Sequence, residues 1–157
     1  MQRGFTIVEL MVVVAVVAVL ASLAAPGMRD LIASSHVRTA SSDFYGALIA
    51  ARSESIKRRS NAVVAPIGAT WDTGWTVKVG TNTFQQVDPL PPDVSVLPAT
   101  GTAITYASNG RVSSGAQTLI FYNAALPTIQ ARCVSIGTNG LPNVRTDNNG
   151  VATDGCN

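Results

Sequence analysis

The chain has 157 residues, of which 46% are hydrophobic and 13% are charged, and its formal net charge is +2. This length accommodates one domain of ordinary size. From Ser60 onward four basic residues stand against five acidic ones, which argues against the broad basic surface that neutralises phosphates in a nucleic-acid-binding protein.

The N-terminal segment is an apolar run long enough to cross a membrane. Between Phe5 and Ala25 only Thr6, Glu9 and Ser22 have polar side chains. As a helix this run would span about 31 Å, close to the thickness of the hydrocarbon core of a bilayer. The basic residue at position 3 favours a cytoplasmic N-terminus. Because the run is longer than the apolar core of a cleaved secretory signal, we expect a membrane anchor.

Glu9 is the residue that a plain anchor does not explain. A carboxylate inside a membrane helix costs on the order of 3 kcal/mol on insertion scales, and such residues are usually functional and have a partner. The alternative is an acid that is tolerated because it lies near the membrane surface.

Residues 3–26, RGFTIVELMVVVAVVAVLASLAAP, resemble the class III signal of type IV prepilins and type II secretion pseudopilins. The resemblance implies that a prepilin peptidase cuts between Gly4 and Phe5 and methylates the new N-terminus at Phe5. Glu9 then matches the acid at the fifth position of the mature family members, and Pro26 matches their helix proline.

The same resemblance suggests a role for Glu9. It implies that the helix lies in the inner membrane before assembly and packs against the helices of other subunits in a filament afterwards. A buried acid needs a positive partner there, and the α-amino group released by cleavage is the natural candidate. We therefore expect Glu9 to set the register of an incoming subunit.

A helical pattern continues beyond the apolar run. Pro26-Gly27 should kink the helix, because proline lacks an N–H group and clashes with the preceding turn. The helix should end near Arg59 or Ser60, where three consecutive basic residues complement the negative end of the helix dipole. Apolar residues at three- and four-residue spacing predict the face that packs on the rest of the chain, namely Met28, Leu31, Ile32, Val37, Ala40, Phe44, Ala47, Leu48 and Ala51.

After Asn61 the pattern changes to short β-type runs separated by turn residues, among them Asn109-Gly110 and Ser113–Gly115. The tract GWTVKVGTNTFQQV is typical of a hairpin with GTN as its turn. A long helix followed by several strands indicates an α+β domain. The predicted strands are Ala62–Ile67, Trp75–Val79, Thr83–Val87, Val94–Leu97, Ala103–Ala107, Thr118–Tyr122 and Ala131–Ile136. The aromatic residues expected in the core or on a sheet face are Trp71, Trp75, Phe84, Phe121 and Tyr122.

Several segments resemble one branch of the pilin-like proteins, the GspH/FimT-type minor pilins and pseudopilins. FYGALIAARSESIKRRSNAVV is similar to the helix end of that branch, ITYASNGRVSSGAQTLIFY to a strand-and-hairpin segment, and ARCVSIGTNGLPNVRTD to its final pair of strands. The resemblance implies two antiparallel sheets packed against the second half of the long helix. The expected segments are a leader at 1–4, a membrane and filament-core helix at 5–26, an amphipathic half-helix at 27–60 and a β-rich domain at 61–157.

Cys133 and Cys156 are the two cysteines of the chain. They are free thiols if the domain stays in the cytoplasm, whereas export through the N-terminal segment favours a disulfide. Such a bridge would close a loop rich in Gly, Asn and Pro that has little apolar surface of its own, and would add about 3 kcal/mol in the chain-entropy account.

The sequence carries no motif that predicts an enzyme or a cofactor. His36 is the single histidine and is expected at the surface or between subunits. No Cys/His cluster has metal spacing. The tract from Asp147 to Asp154 contains oxygen ligands of the kind that calcium prefers, but its spacing does not match an EF-hand, and no metal site is predicted.

The resemblance to the GspH/FimT-type branch implies a minor pilin of a type IV pilus, processed by prepilin peptidase and incorporated near the filament tip. The alternative is a type II secretion pseudopilin of the same fold. In either case we expect a single-pass inner-membrane protein with a periplasmic domain, whose partners are other pilins or pseudopilins rather than a small-molecule substrate. DNA uptake is a weaker alternative, because only Arg145, with Arg111 as a second candidate contact, stands where DNA-binding members of the branch carry a basic motif.

Overall fold

The structure is a computed structural model that describes residues 6–149 and 151–156, without the side chains of residues 23–26. By internal contacts the chain divides into two compact units, Met1–Ile32 and Ala33–Asn157. The core of the second unit contains both helical and strand residues, so this unit has a hydrophobic core of its own.

Helix α1 extends from Ile7 to Arg58, which places its end within one or two residues of the predicted position. Arg59 has a φ of 49°. The N–H of Ser60 donates to the carbonyl of Ser55, and that of Arg59 to the carbonyl of Ile56, each at 3.2 Å. This pair of bonds is the Schellman motif, which satisfies carbonyls that the last helical turn would otherwise leave unpaired.

The cations at the helix end have a partner that the sequence analysis did not assign. Glu54, whose side chain is 9% exposed, accepts a hydrogen bond from Arg58 and lies 3.7 Å from the ammonium of Lys57. The hydrogen bond from Arg58 is the main reason that the pKa of Glu54 is lowered. Two of the three terminal cations therefore neutralise a nearly buried acid in addition to complementing the helix dipole.

Within the described residues no single helix meets the length and hydropathy expected of a membrane span. Two stretches of α1, Ile7–Ser22 and Gly27–Arg58, meet these criteria only when they are taken together as a bent pair. The kink predicted at Pro26-Gly27 falls at the break between these stretches, where the side chains of residues 23–26 lie outside the described part of the structure.

Nine strands follow α1 in the described residues, and all pairings between them are antiparallel. They form one sheet in the order β3-β2-β1-β5-β6 and a second in the order β4-β7-β8-β9. The predicted α+β class with two antiparallel sheets is confirmed. The strands are β1 Ala62–Pro66, β2 Trp75–Val79, β3 Asn82–Val87, β4 Ser95–Leu97, β5 Ile104–Tyr106, β6 Val112–Ser114, β7 Gln117–Tyr122, β8 Arg132–Ile136 and β9 Pro142–Thr146.

The core of the second unit is centred on Phe44, which has no exposed surface. Its ring centroid lies 5.3 Å from that of Trp71, 5.2 Å from that of Trp75 and 5.7 Å from that of Phe121. The two tryptophans meet Phe44 edge to face, the geometry that aromatic pairs prefer. The aromatic residues thus join one face of α1 to both sheets, since Trp75 lies on β2 and Phe121 on β7.

Two sequence expectations require correction. Ser113 and Ser114 belong to β6, a strand that pairs with β5, and not to a turn. Its two serines are exposed, so no alternation marked it in the sequence. Phe84 needs no correction, since it lies on edge strand β3, 47% exposed, and a sheet face was one of its two expected places. The three leading members of the predicted apolar face are 50–66% exposed, whereas its remaining members from Val37 onward are buried: the exposed residues are Met28, Leu31 and Ile32.

We predict that Phe44→Ala destabilises the protein by roughly 3–5 kcal/mol, because the substitution empties the site where three aromatic rings meet. Chemical denaturation of the detergent-solubilised chain, followed by tryptophan fluorescence, measures the effect. The matched control is Tyr45→Ala on the exposed face of the same helical turn, which should change stability by less than about 0.5 kcal/mol. Equal losses in the two variants would contradict the assigned core.

Candidate assembly site

The first unit presents an apolar surface that nothing in the described part of the chain covers. Its large apolar side chains are 48–80% exposed along the helix. Contiguous apolar surface of this extent marks a site that contacts lipid or another protein. The exposed residues are Ile7, Val8, Leu10, Met11, Val12, Val13, Val14, Val16, Val17, Val19 and Leu20.

Thr6 caps the N-terminus of α1, and the cap involves Glu9. The N–H of Glu9 donates to the side-chain oxygen of Thr6 at 3.2 Å, and the N–H of Leu10 donates to the carbonyl of Thr6 at 3.2 Å. Glu9 also lies in the first helical turn, where a carboxylate interacts favourably with the helix dipole. The Thr-x-x-Glu spacing is the capping-box signature, so the sequence contained a signal for Thr6 that the sequence analysis did not use.

The predicted cleavage and methylation residues, Gly4 and Phe5, lie outside the described residues. The α-amino group expected to pair with Glu9 lies there as well. The role of Glu9 in assembly therefore stays a prediction, while its position in the first turn of an exposed apolar helix is a structural finding.

Cys133 and Cys156 form a disulfide in the second unit. Cys133 lies on β8 and belongs to a small apolar cluster with Ile120 and Ala131, against which Ala152 and Cys156 pack. This cluster lies on the face of the second sheet that points away from Phe44. The bridge therefore fastens the C-terminal segment over the outer face of that sheet.

His36 connects α1 to the loops of the β domain. Its Nδ1 lies 3.0 and 3.1 Å from the two carboxylate oxygens of Asp93. Asp93 also accepts a long hydrogen bond of 3.5 Å from the amide of the buried Asn123, whose own oxygen caps the next loop. His36 thus holds loops together within this unit, and it is half-exposed as the sequence analysis expected.

The structure does not bring the two candidate DNA contacts together. Arg111 follows a turn whose Gly110 packs against Gly140, just before β9. Arg145 lies opposite Cys133, three residues beyond the start of β9, or roughly 10 Å further along the strand. Both side chains are exposed. Among the described residues no group of three or more His, Cys, Asp or Glu is arranged to hold a metal ion.

An apolar N-terminal helix followed by two sheets is the architecture of pilin-like proteins. Comparison of the sequence with known families agrees with it. Residues 1–25 match the prokaryotic N-terminal methylation motif. Residues 40–140, more than half of the chain, match the family described as type II transport protein GspH. The chain belongs to the GspH family.

Two kinds of relatives come from Pseudomonas aeruginosa. A curated fimbrial protein is 36% identical over 76 residues, which cover 48% of this chain and 49% of that protein. The chain therefore matches about half the length of this curated relative. Crystal structures of the type IV minor pilin FimU in two crystal forms share the fold, with TM-scores of 0.58 and 0.56 at 16% and 17% identity. The matched regions cover 73% and 71% of this chain, and 90% and 92% of the respective FimU chains.

We predict that replacing both Cys133 and Cys156 by serine lowers the free energy of unfolding by roughly 2–4 kcal/mol, because the unfolded chain regains the entropy of the closed loop. Denaturant titration of the detergent-solubilised chain measures this loss. Thiol titration of the unmodified protein under denaturing, non-reducing conditions should find no free thiol. Two titratable thiols would refute the bridge.

Proposed function

We propose that this chain is a minor pilin of a type IV pilus. The observation that carries the proposal is the combination, in one chain, of an N-terminal methylation motif, an exposed apolar helix and a GspH-family domain with the fold of the minor pilin FimU. The protein acts by assembling, and the chemistry performed on it belongs to the prepilin peptidase.

The apolar surface of the first unit is the assembly element. Before assembly it would lie in the inner membrane, with the second unit in the periplasm. After assembly the same side chains would pack against helices of neighbouring subunits, which exchanges one apolar environment for another. Such an exchange costs little hydrophobic free energy, so specificity has to come from polar groups at the helix start.

Cleavage between Gly4 and Phe5 would create the polar group that the helix start requires. The released, methylated α-amino group is a cation, and Glu9 is the acid within reach of it on the same chain or on a neighbouring subunit. Pairing would relieve the cost of burying the carboxylate, while a subunit placed at another height would leave it unpaired. In this proposal Thr6 fixes the first helical turn and thereby the direction of Glu9.

The β domain would supply the surface that distinguishes this subunit from others in the filament. In the proposed division of the chain the β domain starts at residue 61. The amphipathic half-helix at 27–60 is attached to this domain by the packing around Phe44. The position near the filament tip rests on the resemblance to minor pilins.

A type II secretion pseudopilin is the second candidate, and the description of the matching family favours it. Both functions use the same helix and fold, so the structure gives them equal support on that point. The neighbouring genes distinguish the two functions, since a cluster of minor-pilin genes predicts the pilus and a secretion operon predicts the pseudopilus. DNA binding has less support because Arg111 and Arg145 lie apart.

We predict that Glu9→Ala is cleaved normally but does not enter filaments, because the α-amino group then has no acid to pair with. Immunoblots of the membrane and sheared-filament fractions measure both properties. The matched control is Ser22→Ala, a polar residue further along the same apolar helix, which should enter filaments normally. Normal incorporation of Glu9→Ala would refute the register role.

We predict that Gly4→Val leaves an uncleaved precursor, because the peptidase cuts after this residue. The precursor should migrate more slowly on a gel and should be absent from the filament fraction. Gly27→Ala is the control, since a Cβ at Gly27 meets no atom within 4 Å and cleavage should proceed. Unchanged mobility of Gly4→Val would place the cut elsewhere.

A further inference from the structure

The outer face of the second sheet carries a row of polar side chains that crosses three strands. Thr118 on β7 lies opposite Ser135 on β8, and Ser135 lies opposite Asn143 on β9. Because residues two apart on a strand share a face, the adjacent row on this face places Arg145 opposite Cys133. A guanidinium group therefore lies beside two hydroxyl groups and an amide on one surface.

Two cavities adjoin at Arg145. The first has a volume of about 340 Å³, and its lining includes Thr118, Ser135, Arg145 and Cys156. The second has a volume of about 400 Å³, and Arg145 and Cys156 line it together with Asn148. Each cavity has room for a side chain of another protein, since a water molecule takes up only about 30 Å³ of liquid. The disulfide holds Cys156 in place as the wall that the two cavities share.

The exposed Arg145 has no acidic partner in the described part of its own chain. No described ion pair includes it. The acids nearest to it in the sequence, Asp147 and Asp154, line neither cavity. Asp154 accepts a hydrogen bond from the amide of Asn149 at 2.8 Å, and the carboxylate oxygens of Asp147 have no hydrogen-bond partner. The donors of the guanidinium group are therefore available to a ligand from outside the chain.

We propose that Arg145 and the polar row beside it bind the carboxylate of an Asp or Glu side chain on a neighbouring subunit. Arginine binds a carboxylate through two parallel hydrogen bonds. The hydroxyl groups of Thr118 and Ser135 and the amide of Asn143 are further donors for the same carboxylate or for the segment that carries it. The inference rests on the proposed function, because it assumes that the domain meets other subunits in a filament.

The number of cations favours a protein carboxylate over a nucleic acid. Among the described lining residues of both cavities Arg145 is the only basic one, so the site balances one negative charge. Duplex DNA carries one charge per about 1.7 Å and is bound by proteins that neutralise several phosphates at once. Arg132 does not add to the site, because it adjoins Cys133 on β8 and so points to the opposite face.

Carbodiimide treatment of sheared filaments that carry Arg145→Lys tests the contact, since this reagent joins an amine to a carboxylate that pairs with it and adds no spacer. We expect a product with the combined mass of two subunits. Peptide mass spectrometry should find position 145 joined to an Asp or Glu of the other subunit. Arg111→Lys is the control and should give no such product. A link only within one chain, or no link at position 145, would overturn the proposal.

Charge reversal measures how much the contact contributes to assembly. Arg145→Glu should be cleaved normally, and its amount in the filament fraction should fall about tenfold or more, because it sets two like charges against each other. Arg111→Glu, also exposed, is the matched control and should enter filaments normally. Entry of Arg145→Glu at the level of the unmodified chain would overturn the inference and leave the proposed function standing. Absence of the unmodified chain from filaments would instead refute the proposed function.

Two further measurements exclude other partners for Arg145. Arg145→Gln should change the Tm of the detergent-solubilised chain by no more than about 2 °C, as expected for an exposed side chain. A larger fall would show that the guanidinium pairs within its own chain and would overturn the proposal. A salt-dependent gel shift of duplex DNA by the unmodified chain that Arg145→Gln abolishes would assign the side chain to DNA and would overturn it as well.

Discussion

The contact between the second half of α1 and the two sheets is the interaction on which the second unit depends. Phe44 makes this contact with rings from the Trp71 turn, from β2 and from β7, and the remaining buried residues of the helix extend it in both directions. Both sheets bury one face against the same helix, so neither has to form a core alone. The antiparallel strands of both sheets are short, and their burial against the helix is what stabilises strands of this length.

The first half of α1 is under the opposite constraint. Its side chains are as apolar as those of the core, yet the described residues of the chain do not cover them. A helix that is apolar all round is buried in a large core or in a membrane, and the described residues leave the side chains of this one exposed. Lipid and neighbouring helices are therefore the two environments that fit it, and the proposed function consists of moving from the first to the second. In the proposed function Glu9 owes its role to this change, since the electrostatic interaction of a single charge is stronger in an apolar interface than in water.

Local patterns were sufficient for much of this fold. Alternating apolar residues gave β2 with its observed bounds, and the spacing of the buried residues from Val37 onward gave the face of the helix on which the core forms. Strand β6 was missed because its serines are exposed and its existence depends on pairing with β5. The partnership of His36 with Asp93 spans 57 positions, so no local pattern could indicate it. The burial of Asp147 likewise depends on the register of β9 and on the C-terminal segment above it. Thr6 is different, because its Thr-x-x-Glu signal was present in the sequence and was overlooked beside the longer motif.

The central claim is that the N-terminal helix is processed and then covered by other subunits in a filament. Intact-mass spectrometry of the protein recovered from sheared filaments tests it most directly. The account predicts a chain that begins at Phe5 and carries one added methyl group. A protein that still begins at Met1, or that is found only in the membrane while filaments assemble normally without it, would contradict the account.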